Sequence, residues 1–70
     1  MREVKITREP VELYKILKFE GMVGSGGEAK TVIAEGMVLV NGEIETRKRK
    51  KIVCNDIIEF NNETIQIRLM

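Results

Sequence analysis

The sequence predicts one small α+β domain, and three observations predict it. Residues 2–7 and 64–69 alternate apolar and polar side chains, the period of half-buried strands. Ser25-Gly26-Gly27-Glu28 has the form of a capping box in front of a helical pattern. Asn41-Gly42 stands between two strand-like runs, a strong short-range hairpin signal. Both helical patterns fall before residue 37, so the expected architecture is two N-terminal helices packed on a short-stranded, mainly antiparallel sheet.

Each element has a local reason. Val4 and Ile6 share one face of the first strand, with Glu3, Lys5 and Thr7 on the other. Pro10 suits the first position of a helix, where its missing N–H costs nothing. Leu13, Ile16 and Leu17 then fall on one helical face, and Gly21 can end the helix in a left-handed conformation. In the second helix Ala29, Val32 and Ile33 form the apolar face, and Gly36 follows as the stop.

The hairpin after Met37–Val40 has two possible registers. A three-residue loop aligns Val38 with Ile44, whereas a two-residue Asn-Gly loop aligns Leu39 with Ile44. Turns are expected at Asn55-Asp56 and Asn61-Asn62. In the last strand Ile65, Ile67 and Leu69 point inward.

Composition narrows the function. Seventy residues, 43% hydrophobic and 33% charged, make one domain with no room for a deep pocket. No apolar run is long enough to cross a membrane, and the first ten residues lack the apolar stretch of a secretory signal. Cys54 is the only cysteine and lies among Ile52, Val53, Ile57 and Ile58, which reads as a small buried hydrophobe in a reducing, cytoplasmic setting. There is no histidine, so the usual single-chain zinc sites and the His-dependent nucleophile systems are excluded. A non-enzyme without a cofactor or metal is expected, and one small core without a heptad pattern reads as a monomer.

The net charge of +1 is uninformative, but its distribution is not. Five of the twelve Lys and Arg residues are consecutive, Arg47, Lys48, Arg49, Lys50 and Lys51, so the rest of the chain is net acidic. Folding alone gives no reason to collect five repelling charges, while Lys and Arg neutralise phosphates and release counterions. In an extended segment Arg47, Arg49 and Lys51 would share one side and Lys48 and Lys50 the other, so all five reach one ligand only from a loop. The competing reading is a solvated edge that blocks aggregation.

Gly24-Ser25-Gly26-Gly27 leaves backbone N–H groups unshielded at a helix N-terminus, which suits phosphate; a well-capped turn is the plainer reading. Tyr14, Phe19 and Phe60 are the only aromatics, too few for a base-stacking platform. The balance favours folded RNA recognised by shape and phosphates.

These residues carry a resemblance. Leu13-x3-Leu17-x3-Gly21, Ser25-x2-Glu28-Ala29-Lys30-x2-Ile33-x2-Gly36-x-Val38-x-Val40-Asn41-Gly42 and Asp56-x-Ile58 look like the ribosomal-protein-S-four type RNA-binding domain, the alpha-L motif. The chain is similar to its short stand-alone bacterial form, the YbcJ-like family, with a core motif over about 11–60 inside a single domain of 1–70. The resemblance implies a small alpha-L RNA-binding domain that binds structured, chiefly ribosomal, RNA, with ribosome-associated proteins as possible neighbours. It implies an RNA surface from the two helices and the following hairpin: Lys18, Ser25 and Lys30 from the helical part, and Arg47, Lys48 and Arg49 just after the hairpin, with Lys50 adjoining them in the basic run. Two positions depart from the wider family. Glu12-Leu13-Tyr14 stands where Arg-Leu-Asp is common, and Gly26 stands where a basic residue often follows the capping serine.

Two other classes compete. A protein-interaction module would use the basic run against an acidic partner. A sulfur-carrier-like β-grasp protein is faintly suggested by VNGE and Asp56-x-Ile58-Glu59, but that class ends in a reactive Gly-Gly and this sequence ends Arg68-Leu69-Met70.

Overall fold

In the computed structural model, which describes Met1–Met70, the chain begins with a strand and ends with its neighbour. The elements are β1 (Arg2–Ile6), β2 (Val11–Glu12), α1 (Leu13–Phe19), α2 (Gly26–Ala34), β3 (Val38–Val40), β4 (Glu43–Ile44), β5 (Lys51–Ile52), β6 (Ile57–Phe60) and β7 (Glu63–Leu69). Five strands form one sheet in the order β1-β7-β6-β3-β4, and β2 pairs with β5 in a small second sheet.

Two expectations are corrected. The helices follow β1 and β2 rather than heading the chain, and the larger sheet is mixed, because β1 runs parallel to β7. Alternation of side chains sets which face of a strand is buried but not the direction of its neighbour. The segment between β1 and β7 provides the long crossover that a parallel pair needs. Pro10 also does not open α1. Val11 and Glu12 stay extended because they pair with Ile52 and Lys51, and the helix starts only at Leu13.

The core is one cluster of sixteen buried apolar residues with no polar member. Leu13, Ile16 and Leu17 of α1 and Ala29, Val32 and Ile33 of α2 join Val38, Val40, Ile58, Phe60, Ile65 and Ile67 of the sheet. A seven-residue helix such as α1 is not stable alone. Burying each Leu or Ile contributes about 1.5–3 kcal/mol, so tertiary packing holds it.

The ends of the elements follow the sequence signals closely. Gly21 and Gly36 adopt positive φ, and each helix closes with the paired hydrogen bonds of a Schellman motif: Met22 N–H to Leu17 O and Gly21 N–H to Lys18 O in α1, Met37 N–H to Val32 O and Gly36 N–H to Ile33 O in α2. Asn41 and Gly42 both have positive φ, and Leu39 lies opposite Ile44, so the two-residue hairpin loop is the one adopted. Asn61 and Asn62 make the same kind of turn between β6 and β7.

Candidate nucleic-acid interface

The basic run is not an extended strand. Lys50 N–H donates to Arg47 O at 3.2 Å, which folds residues 47–50 into a turn with Lys48 and Arg49 at its corners. The turn is fastened to the start of α1. Leu13 N–H donates to Lys50 O at 2.9 Å and Tyr14 N–H donates to Lys48 O at 3.1 Å. Helix α1 has no side-chain cap, so the carbonyls of the basic turn satisfy N–H groups that a helix start otherwise leaves open. The backbone of the turn is thus committed to the fold, while the side chains of Lys48 and Arg49 remain exposed.

Arg47 is differently placed. Its guanidinium grips Glu45 through both carboxylate oxygens, at 2.9 and 3.1 Å, and its backbone N–H adds a third bond at 3.0 Å. The side-chain hydrogen bonds from Arg47 dominate over the opposing effect of burial and hold the Glu45 carboxyl at about 2, below the ordinary 4.5. Lys50 stands close enough to favour the charged carboxylate as well. Arg47 therefore anchors the loop through Glu45, and its charge is largely matched.

The other cations gather around Tyr14. The Lys30 Nζ lies 4.7 Å from the ring centroid, the Arg49 guanidinium carbon 5.6 Å and the Lys15 Nζ 6.0 Å. These distances allow cation–π attraction to a half-buried ring. Glu12 reinforces the arrangement, with one carboxylate oxygen 3.4 Å from Lys15 and the other 3.6 Å from Arg49. Three cations from α1, α2 and the basic turn are thereby brought around one ring. The positive charge of the group exceeds that of the single carboxylate.

Lys18 and Ser25 lie at the start of α2. The Ser25 Oγ accepts from Glu28 N–H at 3.1 Å, as the capping box predicts, but Glu28 returns its bond to Gly24 N–H at 2.7 Å rather than to the cap itself. The N–H groups of Gly26 and Gly27 have no partner within the chain. The side chain of Lys18 passes close to Gly26, its Cδ at ordinary van der Waals distance, 3.7 Å, from where a Cβ would stand. The ammonium of Lys18 lies over Phe19, 5.7 Å from its centroid.

Of the residues singled out in the sequence, Lys30 and Arg49 are brought together, with Lys48 beside Arg49 at the corners of the turn. Lys18 and Ser25 flank the first turn of α2, Lys50 is half-buried near Glu45, and Arg47 is paired. Sequence reasoning missed Tyr14, Glu12 and Lys15 as parts of the site. Tyr14 and Glu12 stand where the resemblance marks a loss, and no local spacing connects them to Lys30 and Arg49, which arrive from distant segments.

Comparison with known proteins agrees with this fold. The S4 domain family model matches residues 4–68. The protein YbcJ of Escherichia coli (strain K12) is 49% identical over 57 residues, covering 81% of this chain and 81% of that protein. Its solution structure, with an alpha-L motif involved in RNA binding, superposes with a TM-score of 0.74 over 97% of this chain and 87% of that one, at 43% identity. RlbA of Bacillus subtilis (strain 168), a probable ribosome maturation protein, is 36% identical over 57 residues, covering 81% of this chain and 80% of that one. The 30S ribosomal protein S4e of Thermoplasma acidophilum matches with a TM-score of 0.68 and 27% identity over 83% of this chain and 31% of its own length.

Proposed function

The chain belongs to the S4 domain family, and on that footing we propose that it binds structured RNA without catalysing a reaction, through phosphate and shape contacts from the surface built around Tyr14. The observation that carries this reading is the convergence of Lys15, Lys30 and Arg49 on one ring from three separate segments. Together with Lys48 they present four cations against the single carboxylate of Glu12. Lys18, beside the open N–H groups of Gly26 and Gly27, extends the same surface across α2.

Ribosomal RNA is the RNA class we propose, because S4e is a 30S ribosomal protein and RlbA is a probable ribosome maturation protein. Ribosome-associated proteins would then lie nearby. The proposed setting is the cytoplasm, with the chain acting as a single copy. Cys54 is a free, half-buried thiol, and no helix is long and apolar enough to cross a membrane.

The test is an anisotropy titration of a structured ribosomal RNA fragment with heparin as competitor, at about 50 and 200 mM salt. With about four phosphates neutralised, affinity should fall roughly a hundredfold across that range, taking the duplex slope as a guide. Binding that shows this fall and survives heparin supports the reading. Binding that heparin removes completely would favour an acidic protein partner instead.

A further inference from the structure

We propose that the groove between β1 and α1 receives an unpaired nucleotide of the bound RNA, its base stacked on Phe19. This inference rests on the RNA reading above and adds a class of ligand feature to it, a base outside the duplex.

Phe19 is 69% exposed, although Phe60 is in the core and Tyr14 is held among cations. It lines a groove of about 690 Å³, a size that accommodates a nucleotide. The apolar lining comes from Val4, Ile6, Val11 and Ile16. Arg8 and Lys51 supply positive charge along the same groove, and Lys15 lies there in its ion pair with Glu12. Two carboxylates also line it, but Glu12 is engaged by Lys15 and Arg49, and Glu20 by Arg2 at 2.9 Å. Arg8 and Lys51 make no ion pair within the chain. The groove therefore favours an anion with an apolar face.

The third requirement of a base is a hydrogen-bonding edge. β1 is the end strand of its sheet. The Ile6 carbonyl accepts from Met70 N–H at 2.8 Å, so Ile6 faces β7, and the alternation of a parallel ladder turns the N–H and C=O of Lys5 outward. The groove thus combines a ring for the base, backbone groups for its edge and cations for its phosphate. It is continuous with the Tyr14 cluster, since Lys15 belongs to both. An extended acidic peptide would use the cations and the strand edge, but it would leave the exposed Phe19 ring, which Lys18 approaches at 5.7 Å, without a stacking partner.

The test uses two labelled hairpin RNAs with the same stem, one fully paired and one carrying a single unpaired 2-aminopurine at the stem end. Wild-type protein should bind the second at least about fivefold more tightly, with quenching of the 2-aminopurine emission. Phe19→Ala should abolish both the gain and the quenching, so that the two hairpins bind alike, and Phe19→Trp should retain them. Equal wild-type affinity for the two hairpins would overturn the inference alone, as would an Ala variant that weakens both alike or keeps the quenching. If neither hairpin binds the wild-type protein, the RNA reading itself fails and the inference falls with it.

Discussion

The N–H of Tyr14 donates to the carbonyl oxygen of Lys48 at 3.1 Å, so the first turn of α1 and the corner of the basic turn are held by one backbone bond. The bond places the Tyr14 ring under Arg49, the residue after Lys48, and ties the charge cluster to the core through Leu13, which is fully buried. Charge and fold are largely separable at the corners of the turn, because carbonyls hold its backbone, Lys48 makes no ion pair and Arg49 makes only a 3.6 Å contact with Glu12.

That separation makes charge reversal informative. Lys48→Glu with Arg49→Glu should weaken binding of structured RNA at least about tenfold and lower the salt slope by about two units, while thermal unfolding changes little. Arg47→Ala should weaken binding less than the double reversal, since Arg47 is already paired with Glu45. Titration at several salt concentrations checks both outcomes. An unchanged Kd in the double variant would remove the basic turn from the site.

Tyr14 positions charge through the face of its ring. Tyr14→Phe keeps that face and should bind RNA within about twofold of wild type. Tyr14→Leu removes the attraction for Lys15, Lys30 and Arg49, each worth about 0.5–1 kcal/mol at an exposed site, and should weaken binding about three- to tenfold. Parallel titrations of the two variants separate loss of the ring from loss of the hydroxyl. Equal losses in both would assign the effect elsewhere.

Ser25 is the side-chain cap of α2. Ser25→Ala should cost about 1 kcal/mol of stability. In a domain of this size that corresponds to a fall in Tm of about 4–8 °C. Calorimetry checks it, and an unshifted transition would mean that water or a shifted first turn replaces the cap.

The Glu45–Arg47 pair gives stability an acid limb. The Glu45 carboxyl sits at about 2 in the folded chain against an ordinary 4.5, so the folded form prefers it charged. Its contribution is present above about 4.5 and is lost as pH falls from there toward 2. Glu45→Gln should be less stable than wild type at neutral pH, and the gap should close over that acid range. Urea unfolding of both proteins as a function of pH measures it, and a gap independent of pH would contradict the assignment.

The sequence by itself determined the local elements and the inward faces. Ser25, Gly21, Gly36 and Asn41-Gly42 specify caps and turns through their own backbone preferences, and the alternation at Val4, Ile6, Ile65 and Ile67 specifies which side chains are buried, whereas Leu69, expected inward on the same pattern, is exposed at the end of β7. It also pointed to Lys30, Lys48 and Arg49 through charge clustering and resemblance. Tertiary structure alone decided the parallel pairing of β1 with β7, because side-chain period is blind to strand direction. It displaced Pro10 from the helix, because pairing between Val11 and Ile52 outweighs a local preference for an early helix start. It also decided which cations share a surface: Lys30 and Arg49 join Lys15 at Tyr14 only after α1, α2 and the basic turn have packed. A charged side chain's availability depends on its neighbours in space, and no spacing along the chain encodes them.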